Sequence, residues 1–185
     1  KLRSALRSAS LRARVRRALR VAASVTAAPT EPRRIFVLRN NDVGDLLIVT
    51  PLFEALARRF PGAEIVVGVG AWNVATLKLN PHVHRIIEIN APWFNRRFAG
   101  YSEKQRWNYL QESPEIESLK DLHCEIGIDV LGSAWGALLL LRGAIPFRMG
   151  TAGFDGGEDA SGVDGVELPD EQAVTNSSRA RTRAM

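Results

Sequence analysis

Cysteine is nearly missing from this chain. Cys124 stands alone, which excludes an internal disulfide and suits a reducing compartment. No apolar run approaches the length of a membrane-spanning helix. Glycine-rich phosphate cradles are missing as well: neither G-x-G-x-x-G nor G-x-x-x-x-G-K-[ST] occurs where the first strand should meet the first helix. Histidine is scarce, and His82-x-His84 has no companion His/Cys cluster, with His123 distant and Cys124 beside an apolar strand. No metal site is expected on that basis. There is no internal repeat. With 185 residues the chain has room for one ordinary domain and a tail.

What is present is unevenly spread. Residues 1–34 hold ten basic side chains and one acid, and the remaining residues hold fifteen and nineteen. The formal charge of +5 therefore belongs to the N-terminal arm, and the body is mildly acidic. A surface of that kind does not suit general nucleic-acid binding, and no recognisable nucleic-acid-binding pattern occurs. Residues 1–28 contain seven arginines, one lysine and no acid, with Leu2, Leu6, Leu11, Val15 and Leu19 at helical spacing. Three readings stay open for this arm: an amphipathic helix on an anionic membrane surface, a solvated leader, and a transit peptide. Pro29 and Pro32 then set off the body, so the expected organisation is an arm (1–32), a domain (33–150) and a tail (151–185). The tail is rich in Gly, Asp and Ser without periodicity, and its composition predicts an irregular or disordered segment.

Through the body, strand and helix signals alternate. Apolar or β-branched runs at 35–38, 64–69, 85–89 and 125–130, with a short one at 146–149, predict strands. Helical patterns fill 46–60, 71–79, 103–123 (broken at Ser113-Pro114) and 134–142. Alternation of this kind predicts an α/β fold, a Rossmann-like parallel sheet with helices on both faces, because parallel strands need crossovers.

The organising stretch is Arg34 to Phe60. A strand leads into the polar loop Asn40-Asn41-Asp42-Val43-Gly44-Asp45 and then a helix, which places the loop at the mouth of the ligand crevice of an open parallel sheet. Gly44 is expected to let the chain turn sharply and let a ligand approach the backbone. Asp45 falls at the start of the helix, where free N–H groups and the dipole favour a carboxylate. It is either a helix cap or a catalytic acid–base group. The dipole weighs against a base, and burial or bound substrate would offset it. A loop of amides and carboxylates suits a hydroxyl-rich ligand better than a dinucleotide, and Arg39 is the cation placed to meet an anionic group. Further on, Trp93, Phe94, Arg96, Arg97, Phe98, Tyr101, Lys104, Arg106 and Trp107 mix rings and cations, as a sugar-phosphate grip, a stacking surface for single-stranded nucleic acid or a mobile surface loop would. Asp129, at a strand end, is expected to cap the following Gly-Ser turn.

The run R-N-N-D-V-G-D-L-L-I-V-T-P-L-F-E-A-L-A-R-R-F-P-G-A-E-I resembles the opening of the family 9 glycosyltransferases, the lipopolysaccharide heptosyltransferases. The stretch I-D-V-L-G-S-A-W-G-A-L-L-L-L-R-G-A-I-P-F-R-M-G is similar to a later strand, turn and helix of that family. The resemblance spans about residues 33–154. It implies the N-terminal, acceptor-binding half of a two-domain GT-B enzyme that transfers heptose with inversion, without a metal, from ADP-heptose to a lipopolysaccharide inner-core acceptor. It carries the general base to Asp45; residue type and placement, not the resemblance, put Arg39, Asn40, Asn41, Asp42, Gly44, Arg96 and Arg97 around the acceptor. Asn40, Asn41 and Asp42 stand where many members have small hydroxyl residues. The donor groups of the second half have no counterpart here, which implies a fragment, a truncated or frameshifted product, or an acceptor-binding module. The implied location is the cytoplasmic face of an inner membrane, with residues 1–28 against anionic lipid. The alternative is a non-catalytic Rossmann-like module in which Asp45 is only a helix cap.

Overall fold

A computed structural model describes residues 27–150. Strands β1 (Arg34–Leu38), β2 (Glu64–Val69), β3 (Arg85–Glu88), β4 (Ile126–Asp129) and β5 (Phe147–Gly150) form one sheet in the order β3-β2-β1-β4-β5. Every pairing is parallel, with Ile35 opposite both Ile65 and Ile126. The helices are α1 (Val43–Arg59), α2 (Val74–Leu77), α3 (Glu103–Glu112), α4 (Pro114–Asp121) and α5 (Ala134–Arg142). Two short 3-10 turns, Ala71–Asn73 and Arg96–Phe98, lie in the loops after β2 and β3.

Strand alternation sorts the core into two layers. Ile35 and Val37 point to one face, where they meet Leu46, Val49 and Phe53 of α1 and Leu77 of α2. Phe36 and Leu38 point to the other, against Leu110 of α3, Ile116 and Leu119 of α4, and Leu138 to Leu140 of α5. Helices therefore cover both faces, as the sequence pattern predicts. Phe36 and Phe53 are fully buried, and truncating either to alanine should cost about 3–5 kcal/mol. The strand periphery is fastened by charge: Arg34 Nε meets Glu64 Oε2 at 2.6 Å, and Arg85 Nε meets Glu64 Oε1 at 3.0 Å. Cys124 is buried in the second layer, and burial pushes its thiol up to about 11.

The helix signals resolve for local reasons. The 103–123 pattern splits where Ser113 ends α3 and starts α4: its hydroxyl accepts from Glu115 N, and Pro114 occupies the first turn, where no amide is needed. Ser102 and Gln105 form a reciprocal capping box at the start of α3. Inside α1, Pro51 cannot donate to the carbonyl of Leu47, and Thr50 Oγ1 donates to that carbonyl instead, at 2.8 Å.

One expectation is corrected here. Gly44 does not make a sharp bend: it lies in the first turn of α1 with ordinary helical backbone, since the positive-φ glycines among the described residues are Gly100 and Gly132. The turn is made by Arg39 to Asp42, which are held by long-range hydrogen bonds and need no glycine. The expectations for most of the basic arm (residues 1–26) and for the tail (151–185) lie outside the described residues.

Candidate functional site

Chain direction across the sheet reverses between β1 and β4. From β1 the chain winds outward to β2 and β3, then returns to β4 and β5 on the other side. The loops after β1 and β4 must therefore part at the C-terminal edge of the sheet, which is where open α/β sheets bind ligands. The β1 loop is Arg39 to Asp42, and the β4 loop runs from Val130 to Ser133.

Asp45 sits at the third position of α1, with its carboxylate half-exposed at this edge. Arg39 is nearly buried; its Nη2 lies 3.4 Å from Asp45 Oδ1, and its Nε donates to the Asp45 carbonyl at 3.2 Å. The guanidinium thus grips both the side chain and the main chain of Asp45. Its backbone is fixed in turn, Arg39 N donating to Gly68 O at 2.9 Å. Arg39 is accordingly committed to the carboxylate and is less a free anion receptor than the sequence reading expects. Asp42 occupies the N-cap position of α1 but makes no side-chain cap. Its carboxylate turns outward to Arg96, with Nε at 3.2 Å and the backbone N at 3.4 Å.

Asn40 and Asn41 are buried, and their amides face the protein. Asn40 Nδ2 donates to the carbonyls of Ala91 and Trp93 at 3.1 and 3.2 Å, and Asn41 Nδ2 donates to Phe94 O at 2.6 Å. The Asn41 carbonyl receives Trp72 Nε1 at 3.1 Å and Asn73 Nδ2 at 2.8 Å. These two asparagines therefore build the wall of the site by tying three loops together. Phe94 is held with φ of 56° at this junction, a conformation that a bulky side chain adopts only when its surroundings impose it.

The aromatic and basic residues of 93–107 divide into two sets. Trp93 is fully buried, stacked on Trp135 at 5.8 Å and edge-on to Tyr109 at 5.4 Å, with Trp107 and Arg106 also near Trp135. That set is core, because its rings fill the layer under α3 and α5. The second set is peripheral: Arg97 lies over the Trp72 ring at 5.5 Å, and Phe98 packs edge-on to Trp72 and Tyr101. Arg96 is almost fully exposed. From this second set Arg96 reaches the Asp42–Asp45 loop, through the Asp42 carboxylate.

Asp129, at the end of β4, is buried and accepts from Leu131 N, Ser133 N and Ser133 Oγ at 3.2, 2.8 and 3.2 Å. Burial raises its pKa, outweighing the opposing hydrogen bonds from this turn. Ser133 Oγ in turn caps α5 through Gly136 N at 2.9 Å. The carboxylate shapes the turn, as its sequence position predicts. His84 Nδ1 accepts from Ile65 N at 3.1 Å, an internal structural bond.

Sequence reasoning missed Trp72 and Asn73. Asn73 is fully buried, and its Oδ1 has no hydrogen-bond partner among the described residues. Neither belongs to a motif, and their link to Asn41 spans more than thirty residues of chain. The only signal available was a tryptophan and an asparagine immediately after the second strand.

No family model matches the sequence, and no curated protein matches it. Among solved structures, the ADP-heptose LPS heptosyltransferase II of E. coli is 24% identical over 63% of this chain, with a TM-score of 0.49. A glycosyl transferase family 9 protein from Veillonella parvula is 17% identical over 65% of it, with a TM-score of 0.50. The described body shares its fold with the Veillonella protein. The chain spans 30% and 32% of those two proteins.

Proposed function

We propose that the edge formed by Arg39 to Asp45 is the acceptor site of a sugar transferase and that Asp45 is its general base. The observation that carries this reading is the placement of Asp45: a half-exposed carboxylate at the switch point of a parallel sheet, steadied by a nearly buried arginine. In the reaction Asp45 takes the proton of an acceptor hydroxyl. That oxygen forms a bond to the anomeric carbon while the bond from this carbon to the departing nucleoside diphosphate breaks on the opposite face, which inverts the centre. One base suffices for such a displacement. Arg39 keeps the carboxylate in register, and Asp42, Arg96 and Arg97 form the rim that meets the acceptor. The resemblance to family 9 favours heptose from ADP-heptose as donor, a lipopolysaccharide inner core as acceptor, and a second, GT-B-type domain to hold the nucleotide. It also favours action at the cytoplasmic side of an inner membrane.

A second reading has an observation of its own. Asp45 lies in the first turn of α1 and is already paired with Arg39, as a carboxylate in a purely binding or structural role would be. Asp45→Asn in the full-length protein separates the two. Under the catalytic reading, transfer of sugar from ADP-heptose falls by about two to four orders of magnitude, while acceptor binding, measured by calorimetry, persists. Turnover at the wild-type rate would leave the binding module as the answer.

A further inference from the structure

Helix α1 is apolar on two opposite sides through its first half. Leu46, Val49, Phe53 and Leu56 pack on the sheet. At 100° per residue, the far side carries Val43, Gly44, Leu47, Ile48 and Pro51 through the first half of the helix, then Glu54, Ala55 and Arg58, all exposed; Val43 is 50% exposed, Leu47 54% and Ile48 79%. A surface helix normally turns a polar face outward, and the first half of this one does not. The acids beside the stripe are each paired with an arginine: Asp45 with Arg39, Glu54 with Arg58 at 3.3 Å, and Asp42 with Arg96.

We infer that this outer face of α1 docks on an anionic lipid surface, its apolar side chains entering the boundary between headgroups and acyl chains. Charge supports that occupant. Four arginines bracket the stripe, Arg96 and Arg97 beside its first turn and Arg58 and Arg59 at its last, against the two carboxylates of Asp42 and Glu54 that pair with Arg96 and Arg58; the surplus is positive, as in helices that lie in a membrane interface. Size argues against a second copy of the chain. One stripe of five side chains and a glycine falls well short of the roughly 20–30 residues a side of a stable protein interface. Among the described residues no helix is long and apolar enough to cross a membrane, so the contact is peripheral. The stripe begins within one turn of Asp45 and would hold the candidate site at the lipid surface. The inference does not depend on the proposed chemistry.

The experiment is flotation of the whole chain with vesicles of phosphatidylglycerol and phosphatidylethanolamine, compared with phosphatidylcholine alone. Leu47→Asp with Ile48→Asp should weaken binding to the anionic vesicles by more than about tenfold and leave the urea midpoint in place, because both side chains are exposed. As a second measurement, Ile48→Cys is labelled with a polarity-sensitive fluorophore, buried Cys124 being shielded. Its emission should shift to the blue on anionic vesicles only. Asp45→Asn should bind vesicles like the wild type, so loss of the catalytic reading would leave this one standing. Unchanged vesicle binding by the double aspartate variant overturns the inference. So does a label that reports no change of environment, or binding that resides wholly in residues 1–26. Concentration-dependent self-association that the double variant abolishes, without vesicle binding, would assign the face to a second copy instead.

Discussion

Two asparagines share the same two acceptors, and that sharing has a measurable signature. The carbonyls of Ala91 and Trp93 each receive Asn40 Nδ2, at 3.1 and 3.2 Å, and Asn95 Nδ2, at 3.1 Å for both. Asn40→Ala removes one donor and leaves a small void beside fully buried Trp93, but both carbonyls keep Asn95. Its cost should be about 1–2 kcal/mol. Asn95→Ala has a similar cost and also frees Phe98 N, which Asn95 Oδ1 accepts at 3.1 Å. In the double variant the Trp93 carbonyl loses both side-chain donors, whereas the Ala91 carbonyl keeps Trp93 N at 2.9 Å. An unmet buried acceptor costs about 1–3 kcal/mol. The double variant should therefore be less stable than the sum of the singles by about 1–2 kcal/mol. The Asn95–Phe98 contribution cancels from the cycle, since it is lost equally with or without Asn40. Urea unfolding of the four proteins, followed by tryptophan fluorescence, measures the coupling. Additivity within about 0.5 kcal/mol would refute the view that these amides hold the 91–95 loop in common.

Two glycine substitutions should move in opposite directions. A Cβ at Gly136 would overlap the Asp129 carboxylate, so Gly136→Ala should destabilise by about 1–3 kcal/mol in urea titration. A Cβ at Gly44 would meet nothing within 4 Å, so Gly44→Ala should stabilise α1 by up to about 1 kcal/mol; a loss there would restore the bend that the sequence suggests. Stability should also depend on acid through Glu64, whose pKa is lowered by the Arg34 hydrogen bond first and by Arg85 as well. The native state then binds that proton more weakly than the unfolded chain. The contribution is complete above the ordinary value of 4.5 and is lost as the pH falls through the native one. Glu64→Gln should flatten the stability–pH curve in that window, and an unchanged slope would remove Glu64 from the account.

The sheet was readable because its signals are local. Strand β4 and helix α5 follow directly from a short β-branched run and from an apolar helix opened by Ser133. The break between α3 and α5's predecessor α4 was visible in Ser113-Pro114. The position of Asp45 was readable for the same reason, being one residue counted from a strand and a loop. The duties of Asn40 and Asn41 were not, because their partners lie more than fifty residues away and are backbone carbonyls, which have no sequence identity. Trp93 is indistinguishable by type from a surface tryptophan. Only the arrival of Trp135 and Tyr109 from distant helices makes it core. Gly44 was misjudged because glycine marks either a turn or a helix start, and the choice is made by hydrogen bonds elsewhere.

A solitary thiol sealed under α4 also gives this molecule a clock. With its proton held to about 11 and its sulfur enclosed, Cys124 is silent toward alkylating reagents while the second core layer stays shut. Each modification event then records one opening of that layer. At reagent concentrations where labelling outpaces reclosing, its rate is the frequency of those excursions in the unaltered protein, free of any introduced probe.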